Sequence, residues 1–189
     1  MIDIEETALP EVKLIKPRKF GDERGFFSEV WNGRDLKDAG IDVTFVQDNH
    51  AFSAEKGTIR GLHYQMPPKA QGKLVRVTRG SVLDVAVDIR KGSPNFGKHV
   101  AVELSAENWH QLWVPPGFAH GYCTLTENVE FLYKVTNDYS PENDNGIIWN
   151  DPDIGIDWKI ADADCILSAK DKILPTLADQ TNLFDFGDY

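Results

Sequence analysis

Cysteine is scarce in this 189-residue chain: Cys123 and Cys165 stand alone, in no C-x-x-C spacing. Two isolated thiols with no secretory leader ahead of them exclude a disulfide framework and a zinc knuckle, and a reducing cytoplasm is the expected setting. Basic residues are outnumbered, 20 Lys and Arg against 30 Asp and Glu, leaving a net charge of −10. A general nucleic-acid binder would turn a basic face to phosphates, so that class is excluded, and any anionic ligand must be held by a local cluster of Arg and Lys. No apolar run approaches the ~18 residues of a membrane-spanning helix, so no membrane partner is expected. Internal repeats, low-complexity stretches and linkers are also missing. Residues 1–189 therefore read as one domain, long enough to bury a core without staples.

What is present is alternation. Leu83, Val85, Val87 and Ile89 fall on one face of a strand and Val82, Asp84, Ala86 and Asp88 on the other, the pattern of a strand with one buried face. Further strands are expected around Val12–Ile15, Phe26–Trp31, Val43–His50, Lys73–Val77, Val100–Leu104, Leu112–Val114, Phe118–Cys123 and Phe131–Val135. Arg34 to Gly40 reads as a short helix ended by its glycine, and Ser168 opens another that Pro175 limits. Trp149–Asp153 and Gly155–Trp158 read as loops. Many short strands punctuated by Gly and Pro predict an all-β sandwich or barrel, and a jelly roll with short peripheral helices fits best.

The chain is organised around Arg60-Gly61-Leu62-His63-Tyr64-Gln65 and Lys73-Leu74-Val75-Arg76-Val77. Histidine takes and returns a proton near neutrality, and a neighbouring lysine holds an oxygen that becomes negative meanwhile. Strand alternation lets His63, His120 and Tyr133 face the inside of one barrel. A phenol opposite an imidazole supplies an acid on one side of a planar intermediate and a base on the other, which suits inversion at a carbon next to a carbonyl. The bland alternative for Tyr133 is a core aromatic. A metal site is a poor fit, because His63-Tyr64-Gln65 lacks the second histidine of a His-x-His pair and only His120 joins from elsewhere. Asp171 has two readings: partner to the His63 ring, or half of a Ser168-x-x-Asp171 capping box. Arg24, Arg60, Lys73, Arg76 and Lys170 are the candidate anion cluster.

These blocks, with Asp22-Glu23-Arg24-Gly25-Phe26-Phe27, Glu29, Gln47-Asp48-Asn49, Val114-Pro115-Pro116-Gly117-Phe118-Ala119-His120-Gly121, Trp149-Asn150-Asp151-Pro152 and Leu167-Ser168-Ala169-Lys170-Asp171, run in order through nearly the whole chain. Together they resemble the dTDP-4-dehydrorhamnose 3,5-epimerase family of cupin-like sugar nucleotide epimerases. The resemblance implies a cupin-like jelly roll that forms a homodimer and uses neither metal nor cofactor. Its implied reaction converts dTDP-4-dehydro-6-deoxy-D-glucose to dTDP-4-dehydro-L-rhamnose. It implies His63 as the base at C3 and C5, Asp171 as its partner, Lys73 at the enolate oxygen and Tyr133 as the acid on the opposite face. It implies Arg24, Glu29, Gln47, Asn49, Arg60, His120 and Lys170 as substrate contacts, with Arg24 and Glu29 reaching in from the partner subunit. A family glutamate near position 144 is replaced here by the shorter Asp144. The rival readings are an epimerase acting at C3 or C5 alone, a ketoisomerase on a similar barrel, and a non-catalytic nucleotide-sugar-binding barrel.

Overall fold

The computed structural model describes residues 2–188; Met1 and Tyr189, the last residue of the acidic-aromatic tail, lie outside them. The chain enters through β1 (Ile2–Glu6) and β2 (Lys13–Pro17), then a projecting hairpin of β3 (Lys19–Asp22) and β4 (Gly25–Ser28). The helix α1 spans Gly33–Asp38. Asn32 caps it by accepting from the amides of Arg34 and Asp35, and Gly40, at φ +86°, turns the chain out of it. There follow β5 (Gln47–Ser53), β6 (Ile59–Gln65), β7 (Lys73–Arg79), β8 (Ser81–Asp88), β9 (Arg90–Lys91) and β10 (His99–Ser105). Then come β11 (Gln111–Val114), β12 (Phe118–Thr124), β13 (Val129–Val135), β14 (Asp144–Gly146) and, near the end, β15 (Phe184–Asp185). Among the described residues no helix is long and apolar enough to cross a membrane.

Two sheets carry the architecture: six strands in the order β1-β2-β11-β7-β13-β5 and five in the order β10-β8-β12-β6-β14. This is the expected all-β, cupin-like jelly roll. Between the sheets lie Val75 and Val77 of β7, Val82 and Ala86 of β8, Phe118 and Tyr122 of β12, and Phe131 of β13. The period of two does the sorting: residues sharing parity on a strand share its face. The outer face of the six-stranded sheet is covered by α1, whose Leu36 packs with Leu74 and Trp113.

The one-sided burial expected for β8 is not what the fold contains, because all eight of its residues are buried. Leu83, Val85 and Val87 pack outward against Trp149, Ile154, Trp158, Leu177 and Phe184. The loops after β14 are therefore irregular yet buried, and the Trp158 indole donates to the Trp149 carbonyl at 2.8 Å. The tail ends by adding β15 in parallel to β9, with Phe184 beside the Tyr64 ring.

Two further boundaries differ. The strand expected at Val43–His50 begins only at Gln47, where pairing with Val135 of β13 starts. The β-prone run after Gly25 ends as strand at Ser28, leaving Phe27 70% exposed on the hairpin.

At the closed end of the barrel Arg90 is 2% exposed. It donates from Nη2 to Asp88 at 2.8 Å and pairs with Glu11 at 2.9 Å, while Ser93 donates to Asp88 at 2.6 Å. Burial opposes ionisation of Asp88, but the Arg90 and Ser93 hydrogen bonds outweigh it and hold its carboxyl below the usual range. That contribution to stability is fully present above pH 3.8 and is lost only as acid protonates the native carboxylate. Asp88→Ala strands most of a buried guanidinium's charge and is expected to destabilise the fold by about 3–5 kcal/mol. Urea unfolding checks this; a loss under about 1 kcal/mol would show that the remaining partners of Arg90, Glu11 among them, suffice.

Candidate active site

A cavity of about 600 Å³ opens between the sheets. Its wall takes His63 and Arg60 from β6, Lys73 from β7, His120 and Tyr122 from β12, Phe131 and Tyr133 from β13, and Asp144 from β14. Lys170 and Asp171 arrive from the C-terminal segment. Seven residues singled out in the sequence thus meet: His63, Lys73, Tyr133, Asp171, Arg60, His120 and Lys170.

Backbone sterics help bring the two histidines together. His63 and His120 are direct partners across β6 and β12. Just beside them Gly61, at φ +124°, passes so close to β12 that a Cβ there would come within 2.6 Å of the Gly121 Cα. Only paired glycines permit that approach, and the register shifts between His120 and Tyr122.

His63 Nε2 lies 2.8 Å from Asp171 Oδ1 in a site where the carboxylate is 5% exposed. The approach is an ion-pair contact more than an aligned hydrogen bond, since Oδ1 and the ring's own Nδ1 lack an aligned partner among the described residues. Burial pushes the Asp171 carboxyl up, but the His63 contact, with Ser168 and Lys170, outweighs it and leaves the pKa below its ordinary value. The Asp171 amide donates to Ser168 Oγ at 3.1 Å, opening a 3-10 turn over Asp171–Ile173. This hydrogen bond runs through the amide and not the carboxylate, so the reciprocal capping box does not form among the described residues and the carboxylate is left to His63.

Lys73 is held by protein on all sides except the cavity, and its ammonium donates to the His63 carbonyl at 3.3 Å. Burial draws its pKa down to about 8, against the opposing pull of Asp144 and Asp84. Burial likewise raises the Tyr133 phenol above its ordinary value, opposed by the charge of Arg60. Tyr133 is thus kept protonated and Lys73 sits close to the point of losing its charge.

The anion cluster is smaller than expected. Arg76 has the opposite parity to Lys73, Val75 and Val77, so it projects from the outer face of the sheet, 5.9 Å from the Trp109 ring. Arg24 sits on the exposed hairpin, bound to Asp22. Glu29 accepts from Asn32 at 3.1 Å. Neither Arg24 nor Glu29 lines the cavity of this chain. Gln47 donates to Asn49 at 2.7 Å, and both share a strand face with Ala51, which does line it.

Carboxylates partner most of the basic groups that remain. Asp171 faces His63, Asp84 binds His120, and Asp144 takes the Lys170 ammonium together with the Tyr139 hydroxyl. The shorter side chain at 144 therefore reaches the site. Asp84, Tyr139, Gln71 and Tyr122 were not singled out for the site from the sequence. For Asp84 a signal existed: a carboxylate in mid-strand, flanked on its own face by Val82 and Ala86 and in sequence by Leu83 and Val85. Tyr139 sits in a loop with no periodicity to place it.

A family model described as dTDP-4-dehydrorhamnose 3,5-epimerase matches residues 6–179. The chain is similar to the dTDP-4-dehydrorhamnose 3,5-epimerase of Salmonella typhimurium, 54% identical over 178 residues that cover 94% of this chain and 96% of the relative. Among solved structures it resembles the Bacillus anthracis dTDP-4-dehydrorhamnose 3,5-epimerase with TDP and PPi bound, at 49% identity and TM-score 0.90, covering 93% of this chain and 99% of that one. It also resembles the Legionella pneumophila dTDP-6-deoxy-D-glucose-3,5-epimerase in complex with dTDP-4-keto-L-rhamnose, at 45% identity and TM-score 0.93, covering 98% and 99%.

Proposed function

This chain belongs to the dTDP-4-dehydrorhamnose 3,5-epimerase family, and on that premise we propose how its cavity inverts two carbons of one sugar. It is an isomerase, taking dTDP-4-dehydro-6-deoxy-D-glucose to dTDP-4-dehydro-L-rhamnose. The observation that carries the mechanism is the convergence of His63, Asp171, Lys73 and Tyr133, from four separate parts of the chain, on one cavity.

The C4 ketone acidifies the C–H bonds at C3 and C5. His63 removes each proton, and the electron pair moves onto O4 as an enolate. The ketone is its own electron sink, so this chemistry asks for no metal or organic cofactor. The Lys73 ammonium stabilises O4 while it is negative, and Asp171 steadies the imidazolium that His63 becomes. Tyr133 returns a proton from the opposite face, and the carbon is inverted. Arg60, His120 and Lys170 bind the nucleotide sugar. Arg60 and Lys73 are the cavity cations not bound to a side-chain carboxylate at hydrogen-bond distance among the described residues, which suits them to a diphosphate and an oxyanion.

The reading extends to a homodimer of single-domain chains in the cytoplasm. The β3–β4 hairpin supports it: Phe20, Phe26 and Phe27 are all more than half exposed there, next to Arg24. A partner's hairpin placed over this cavity brings its Arg24 and Glu29 to the substrate, beside Gln47 and Asn49.

Proton NMR of dTDP-4-dehydro-6-deoxy-D-glucose with the protein in D₂O tests the reading directly. Exchange at both C3 and C5 is expected, with a product that a reductase converts to dTDP-L-rhamnose. Exchange at one carbon would make this a single-site epimerase, and none at either would leave only a binding role.

The rate should also report Lys73. Its charge is present below about pH 8 and is lost above it, so turnover is expected to fall as pH rises through about 8. Initial exchange rates from pH 6.5 to 9.5 provide the check, and a profile flat across that range would show that the rate does not depend on loss of the Lys73 charge near pH 8.

A further inference from the structure

Asp84 has no exposed surface and lies on β8 between Val82 and Ala86, on the face turned to the opposite sheet. A carboxylate so placed gives up its hydration, which only specific partners restore. The partner is His120: its Nε2 is 2.9 and 3.1 Å from the two Asp84 oxygens. The other ring nitrogen, Nδ1, makes no hydrogen bond to any described residue, and the ring lines the cavity. This is a second His–Asp pair, strand to strand beside the first, since His120 is the cross-strand partner of His63.

Its surroundings are specific. Lys73 of β7, Tyr122 on β12 itself, His63, Arg60 and Tyr64 of β6, Tyr133 of β13, Asp144 of β14, and Tyr139, Lys170 and Asp171 from the later loops are the titratable or charged groups that line the same cavity, with the Phe131 ring 6.3 Å from His120. Burial raises the Asp84 carboxyl above its ordinary value, opposed by His120 and Lys73, and its charge, after that of Asp144, helps Lys73 to keep its proton against burial.

We propose that Asp84 is a positioning residue of this site: it accepts the Nε2 hydrogen of His120, fixes the tautomer whose Nδ1 turns a lone pair into the cavity, and so sets His120 to accept a hydrogen bond from a hydroxyl of the bound sugar. The identity of that sugar rests on the epimerase reading; the tautomer does not. A buried acid that holds an imidazole in one tautomer governs what the far nitrogen can do, and an amide in its place no longer enforces that tautomer, since it can turn its NH₂ to the ring as a donor. Asp84 has a second effect through space, as one of two carboxylates that support the Lys73 ammonium.

The test uses Asp84→Asn and Asp84→Leu in the full chain. Long-range nitrogen–proton NMR of the ligand-free wild type, with the His120 signal assigned by His120→Gln and recorded where the ring is neutral, should show hydrogen on Nε2. In Asp84→Leu, which leaves no acceptor for Nε2, that tautomer should be lost. Turnover of Asp84→Asn should fall about 10–100-fold, the scale on which loss of a histidine's outer hydrogen-bond partner is felt. The alkaline fall in rate should move to lower pH, because Lys73 has lost one of its two supporting charges. Hydrogen on Nδ1 in the wild type overturns the proposal, and so does an unchanged tautomer in Asp84→Leu. An alkaline limb that stays where it was removes the through-space support of Lys73 by Asp84. If the variants fail to fold, the wild-type spectrum alone decides. If the wild type exchanges neither sugar proton, the epimerase reading falls, while the ligand-free tautomer still judges the role of Asp84.

Discussion

His63→Ala is expected to slow deuterium exchange at C3 and at C5 together, by about 10²–10⁴-fold, the usual contribution of a positioned general base. Both positions should suffer because the described cavity holds one imidazole set against the buried Asp171 carboxylate, and the two carbons flank the same ketone. Nucleotide-sugar affinity should change far less, since Arg60, Lys73 and Lys170 remain to hold the ligand. The fold should also survive, because the His63 ring is 28% exposed on a cavity wall and not packed in the core. Isotope exchange followed by NMR, with affinity measured separately by calorimetry, distinguishes these effects. Unchanged exchange at both carbons would remove His63 as the base. Loss at one carbon only would mean that a second base serves the other, and His120 would be the first residue to examine.

Tyr133→Phe should separate the two halves of the reaction. The substitution removes one oxygen and keeps the ring whose centroid lies 6.0 Å from that of Phe131. Burial keeps the phenol protonated at neutral pH, so it is an acid and not a competing base. Without it, His63 still removes protons and returns deuterons to the face they came from. Label should therefore enter the starting sugar with retained configuration, while formation of the inverted product falls by about 10²–10⁴-fold. Product formed at the wild-type rate would assign the acid elsewhere. Loss of both label and product would mean that Tyr133 positions the sugar and does not merely protonate it.

Much of the site was legible because a strand's period of two is a strong local rule. It puts Lys73 with Val75 and Val77, His120 with Phe118 and Tyr122, and Tyr133 with Phe131, each group on the face that closes the barrel. Applied without exception, the same rule removes Arg76 from the anion cluster, as the fold does. Less was legible where geometry depends on distant segments. The apolar residues on both faces of β8 hint that both are covered, but nothing local says that Trp149, Trp158 and Phe184 form the cover, because it comes from residues with no periodic pattern of their own. The start of β5 at Gln47 is set by where β13 pairs with it, which its own β-prone residues do not encode. Asp171 shows the limit of spacing arguments most plainly. A serine three residues earlier and a histidine on a far strand both claim it, through different atoms, and sequence offers no reason to expect both.

The roof over the five-stranded sheet carries a second duty. The segment that lays Trp149, Trp158 and Phe184 against the sheet is the same one that delivers Lys170 and Asp171 to the cavity. A chain cut short before this stretch would lose the roof and the Asp171 carboxylate that faces His63 together. Covering the core and furnishing the cavity thus fall to one segment, and neither task can be given up without the other.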